Sequence, residues 1–163
     1  MNLHTKRIEK VCNFYVSDWH MAVMILPFVS QEINSGKKVA TIFENTIKEN
    51  IETLLEKLNL KNEQEIKNIN WDSIPELQKK EIEEILQDET QDIVIVISGS
   101  EMYIKDCDKK IEQYYKESHM NQQVKIVNCF EMTSIDGNIS KVLHEHNKIL
   151  NTKGEKEIKN KLG

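Results

Sequence analysis

The chain has 163 residues, 39% of them hydrophobic and 30% charged, with 5 Gly, 2 Pro and a formal net charge of -5. That is the size of one ordinary domain with a real core, and the Ile, Leu and Val residues in periodic or continuous runs exclude a disordered chain. No apolar stretch reaches the ~18–20 residues that a bilayer span needs; the longest runs from Met21 to Val29, contains Pro27 and stops at Ser30.

The opening MNLHTKRIEK has no hydrophobic signal core, so a cytoplasmic location is the expectation. Residues 11–16 (VCNFYV) are β-branched and aromatic and read as a strand. Ser17 or Asp18 then caps a helix to about Asn34, with Met21, Met24, Ile25, Phe28, Val29 and Ile33 at helical spacing and Gly36 placed to stop it. Pro27 predicts a kink or break in that helix. Residues 38–43 (KVATIF) form a second strand, and Asn45 or Thr46 caps an amphipathic helix carrying Ile47, Ile51, Leu54, Leu55 and Leu58.

After a polar connection, residues 69–72 are a candidate brief strand. Ser73, Pro75 and Glu76 then carry a helix-start signature for a charged helix to about Leu86. Residues 93–97 (IVIVI) are five consecutive β-branched residues without alternation, which implies a strand buried on both faces in a parallel sheet. Ser98, Gly99 and Ser100 end it, and a helix runs from about Glu101 to Glu117. Residues 124–127 form a further strand, and residues 139–150 a last helix. Strands alternating with helices give a single α/β domain over residues 1–150, a three-layer α/β/α sandwich with a mostly parallel sheet of about five strands. Residues 151–163 read as a polar, lysine-rich tail.

Arg7 is the only arginine, so the bidentate fork that reads guanine and phosphate is nearly absent and specific nucleic-acid recognition is disfavoured. Cys12, Cys107 and Cys129 are odd in number and far apart, which suits reduced, partly buried thiols.

Ligands of an open parallel sheet bind beyond the carboxyl ends of its strands. Here that face draws on Ser17, Asp18, Trp19 and His20; on Glu44; on Ser98, Gly99 and Ser100; and on the 129–133 loop with Glu131. The Ser98-Gly99-Ser100 turn opens a helix and is the best anion-binding candidate, against the simpler reading of a capped turn with Glu101 beside it. No GxxxxGK[ST] or GxGxxG pattern exists. Asp18, His20, Glu44 and Glu131 can also be read as metal ligands or as an acid/base group, with helix capping and solvated carboxylates as the plainer alternative. His144 and His146 lie two apart and make a poor metal pair, read as a solvated turn of the last helix. Trp19, Met21, Met24 and Phe28 either wall an apolar pocket or simply fill the core.

Phe14-Tyr15, a helix with Leu26-Pro27-Phe28 near its end, Gly36-Lys37, a strand and then Glu44 resemble the start of the MEDS sensory domain. The resemblance covers the N-terminal third. It implies a RecA-like, broadly Rossmann-like fold without a phosphate-binding loop, and a sensing or signalling role without ATP hydrolysis. The leading expectation is therefore a non-catalytic sensory or regulatory module that binds a small ligand or partner protein at the strand-carboxyl face, without membrane association. The residues name no cofactor. The alternative is an enzyme acting on a nucleotide-like or phosphorylated small molecule through Ser98, Gly99 and Ser100. A third reading is a homodimer formed through an edge strand or the 47–58 helix.

Overall fold

The computed structural model describes residues 8–87, 90–135 and 137–158. Strand β1 (Ile8–Tyr15) leads into helix α1 (Asp18–Asn34), β2 (Lys38–Phe43), α2 (Lys48–Lys57), α3 (Glu63–Lys67) and α4 (Lys79–Leu86). Then follow β3 (Ile93–Ser98), α5 (Glu101–Glu117), β4 (Val124–Glu131), α6 (Met132–Ile135), α7 (Ile139–His144), β5 (Lys148–Asn151) and β6 (Gly154–Glu157). One sheet holds all six strands in the order β2-β3-β4-β1-β5-β6, parallel except for the β5–β6 hairpin.

The run of β-branched residues explains the layering. Every residue of β3 is buried, with Val94 and Val96 facing α1, α2 and α3, and Ile93, Ile95 and Ile97 facing α4, α5, α6 and α7. Successive side chains of a strand point to opposite faces, so an unbroken apolar run can only be satisfied between two helical layers. The protein is an α/β/α sandwich with a mostly parallel sheet, as the sequence implies.

Helix α1 passes unbroken through Pro27, which lies on its exposed side, where water can take the hydrogen bond that proline cannot supply. Gly36 ends it at φ 83°. Its N–H bonds Ile33 O at 2.9 Å while Lys37 N–H reaches back to Glu32 O at 3.2 Å, a paired closure of the last turn that suits glycine.

Four segments differ from expectation. Residues 69–72 form no strand; only an isolated bridge between Phe43 and Ser73 marks the edge of β2. The helix expected from Ser73 starts at Lys79, because Ile74 N–H is committed to Phe43 O and Leu77 is buried, while Gln78 and Glu81 supply the capping box instead. The last helix stops at His144, and residues 148–151 pair with β1 as β5. Asn147 clamps that turn, its Oδ1 accepting from Lys10 N at 2.9 Å and its N–H donating to Lys10 O at 2.7 Å. The expected polar tail carries β6, and residues 159–163 lie outside the described residues. Among the described residues no helix is long and apolar enough to cross a membrane.

Candidate functional site

The carboxyl ends of β1, β2, β3 and β4 bring the four loops to one end of the sheet, since the parallel registers align Tyr15 with Glu131 and Phe43 with Ser98, which itself aligns with Cys129. The β1–α1 loop is built by reciprocal capping. Ser17 takes an extended backbone (φ -153°, ψ 164°) and its hydroxyl accepts from His20 N–H at 3.1 Å. The His20 ring answers by accepting from Val16 N–H through Nδ1 at 3.0 Å. His20 thus stands at the third helical position, where a capping box has its glutamate, but it takes the N–H of the residue before the cap rather than that of the cap itself. Its Nδ1 is committed to the backbone.

The Ser98-Gly99-Ser100 turn is also filled from within. Glu44 N–H donates to Ser98 O at 2.8 Å, and the Glu44 carboxylate accepts from Ser100 N–H at 2.9 Å. A negative group therefore already sits at the start of α5, where the helix dipole favours one. Ser100 caps the helix by accepting from Tyr103 N–H at 3.1 Å. Gly99 is required for closeness rather than for unusual backbone angles: a Cβ there would stand 2.9 Å from Glu44 Cβ and 2.6 Å from Tyr103 Cδ2. The Tyr103 hydroxyl donates to Ile74 O, tying the turn to the segment that follows α3.

At the centre of this end, the Tyr15 hydroxyl lies 3.3 Å from Ser98 Oγ. Burial pushes the Tyr15 phenol up to about 12, the Ser98 hydrogen bond opposes the rise, and the Cys129, Glu131 and Asp18 groups add to it. A phenol held protonated is no base at neutral pH, so Ser98 gains no activation from it. Glu131 is half-buried and accepts from the Thr133 hydroxyl. Cys129 to Glu131, expected in a loop, continue β4.

Trp19 stands apart from its predicted companions. Met21, Met24 and Phe28 are core residues, whereas Trp19 is 49% exposed, with Val16 at 70% and Met132 at 37% on the same end of the sheet. Val23, one turn beyond Trp19, is also exposed. Asp18, His20, Glu44 and Glu131 do not converge on a common point, and no group of three or more His, Cys, Asp or Glu side chains among the described residues is placed to hold a metal ion. The thiols are buried, and burial raises Cys107 to about 12 and Cys129 further still.

Sequence reasoning missed one polar cluster. His146, expected on a solvated turn, is buried against the Phe130 ring. Its Nδ1 lies 2.6 Å from Val142 O, and Asn128 Nδ2 lies 3.0 Å from its Nε2 and 2.7 Å from Asp108 Oδ2. Lys10 closes the chain on Asp108 Oδ2 at 2.9 Å. The hydrogen bonds read in one direction: Nδ1–H donates to the carbonyl, the Asn128 amide gives both hydrogens, and a carboxylate and an imidazole Nε2 accept them. Asn128 lies in an apolar β4 run, and the lone signal in the sequence is an asparagine where a strand buried on both faces should be apolar.

The face thus presents exposed Trp19, Val16 and Met132 beside a helix start already occupied by the Glu44 carboxylate, while the Tyr15 and Ser98 hydroxyls are buried against each other. Its exposed side chains are of the kind that make apolar contacts. Comparison of the chain with family models, curated proteins and solved structures finds no match in any of the three.

Proposed function

We propose that this chain is a non-catalytic, cytoplasmic sensory or regulatory module that binds a small ligand or a partner protein at the carboxyl ends of its strands. The observation that carries the reading is the Glu44 carboxylate on the Ser100 N–H. An enzyme that held a phosphate at this turn would need the position that its own glutamate fills, and the two negative charges would repel. The resemblance of the N-terminal third to the MEDS sensory domain, which has no phosphate-binding loop, points the same way. Exposed Trp19, Val16 and Met132 supply apolar contact surface at this end of the sheet.

A thermal-shift screen of nucleotides and small metabolites, run beside affinity capture with the full chain as bait, tests the reading. The expected result is a ligand or partner that raises the melting temperature of the wild type and loses its effect in Trp19→Ala, whose own melting temperature stays close to wild type. A screen in which nothing stabilises the protein and nothing is captured through this face would count against it.

A further inference from the structure

The two ends of the sheet carry charge differently. At the amino ends of the strands, Lys37, Lys125 and Lys148 are interleaved with Glu9, Glu32 and Glu155 in a network of ion pairs. At the carboxyl ends, residues 16–20, 44–47, 98–102 and 131–135 contain no lysine or arginine, although the chain has 22 of them. These segments hold Asp18, Glu44, Glu101 and Glu131 instead. The first lysines beyond them in α2 and α5 are engaged, Lys48 with Asp72 at 3.6 Å and Lys105 with Glu101 at 3.0 Å. No lysine among the described residues pairs with Asp18, Glu44 or Glu131. Their field reaches into the fold: burial is the main cause that raises the Tyr15 and Tyr103 phenols, and Glu131 and Asp18 add to the first, Glu44 to the second.

The same segments carry most of the exposed apolar surface. Among the described residues six large apolar side chains are exposed, and four of them, Val16, Trp19, Met102 and Met132, lie here. Val16 and Met132 directly follow Tyr15 and Glu131, which are register partners on neighbouring strands, so the two stand side by side. Trp19 extends the surface toward the α1 layer, and Met102, 82% exposed, toward the α5 layer on the other face. Apolar groups alone suit many partners, whereas unpaired carboxylates around them select a cationic one and repel a polyanion. Resting on the reading that this end is the binding face, we propose that its occupant is a cationic amphipathic helix of a partner protein. Its apolar side chains would lie on Val16, Trp19, Met102 and Met132, and its lysines or arginines on Asp18, Glu44 and Glu131. The strand ends present no ladder for a partner strand to extend, so the contact runs through side chains, as for a helix laid in a groove. The four neighbouring strands β2, β3, β4 and β1 span about 14 Å, the length of roughly ten helical residues.

The probe is the peptide acetyl-Leu-Lys-Lys-Leu-Leu-Lys-Leu-Leu-Lys-Lys-Leu-amide, titrated into the full chain and followed by calorimetry and by tryptophan fluorescence. Trp71 is buried, so a blue shift of the emission on binding reports Trp19. The expected result is one peptide per chain, that blue shift, and an affinity that falls at least fivefold as salt is raised from low to well above physiological. The same peptide with glutamate in place of lysine should not bind. Asp18→Asn together with Glu131→Gln should weaken binding at least fivefold, and Val16→Ser together with Met102→Ser at least tenfold. Val16 and Met102 are the two most exposed of the apolar side chains, so their loss leaves the core intact, and the wild-type comparison of the two peptides decides the matter even if the carboxylate variant folds poorly. The proposal is overturned if the lysine peptide does not bind, if the glutamate peptide binds equally well, or if the Val16 and Met102 changes leave the affinity untouched. A small ligand that stabilises the wild type but not Trp19→Ala, with no binding of the lysine peptide, would overturn this proposal and leave the binding reading standing. Failure of both would overturn both.

Discussion

Glu44, at the end of β2, holds the backbone N–H of Ser100, at the start of α5, through a 2.9 Å hydrogen bond between adjacent strand ends. It satisfies one of the donors that a helix leaves unpaired at its first turn, and adds a favourable charge to the dipole. Glu44→Ala should cost about 1 kcal/mol in urea unfolding, and Glu44→Gln, which keeps an acceptor without the charge, less. Wild-type stability in Glu44→Ala would remove this role.

Gly99→Ala should be the more damaging change at the same turn, by about 1–3 kcal/mol, because its new Cβ meets Glu44 Cβ and Tyr103 Cδ2 inside normal contact distance. The cost should fall in a Glu44→Gly background, where one of the two obstacles is gone. Strict additivity in that double-mutant cycle would contradict the packing described.

Lys10 and Asp108 form the charged end of the cluster that includes Asn128 and His146. Burial raises the Asp108 carboxyl, and Lys10 and Asn128 pull it back down. Lys10→Met leaves a buried carboxylate without its cation, and should destabilise the protein at pH 7 by about 3 kcal/mol. The penalty should shrink as the pH is lowered through the raised Asp108 value, since a protonated carboxyl needs no cation. In the Lys10→Met background, Asp108→Asn should therefore recover stability at pH 7. A penalty independent of pH from 4 to 8 would refute the assignment.

The pH dependence of the wild type has two arms. Burial alone would raise Glu32, but hydrogen bonds and charge from Lys125 and Lys37 outweigh it and hold the carboxyl below its ordinary value. A depressed carboxyl contributes stability above its unfolded value that is lost as the pH falls through the folded one, so acid unfolding should begin below about pH 4.5 and move upward in Lys37→Ala. Cys107 and Tyr15 lie on the other arm. Burial raises them from ordinary values of 9.0 and 10.0 to about 12 in each case. Their contribution is complete below the ordinary values and is lost as the pH rises toward 12. Circular dichroism from pH 2 to 12 should show both arms, with the alkaline one weakened in Cys107→Ala.

What the sequence made legible follows from how much each signal repeats. Five β-branched residues at 93–97 have no other economical home than a doubly covered strand, and α1 has a cap, a periodic face and a glycine stop that agree with one another. The segment after Val142 has no such redundancy. β5 is four residues long, too short for a period of two to be told from a helical one, and its place is decided by Asn147 bonding Lys10 across 137 residues of sequence. The start of α4 was misplaced for a similar reason. Local capping rules favour Ser73, but the bridge to Phe43 and the burial of Leu77 outrank them. At the strand-carboxyl face the residue types were readable and their commitments were not: that His20 turns to Val16 and Glu44 to Ser100 depends on three-dimensional neighbours.

The three cysteines sit at zero exposure on β1, α5 and β4, with Cys12 and Cys107 on one side of the sheet and Cys129 on the other. Each thiol is shut away from any reagent while the sandwich is closed, so the rate at which a thiol dye enters becomes a clock for how often the layers part. Single-cysteine versions would time the two faces separately and show which layer of helices lifts first.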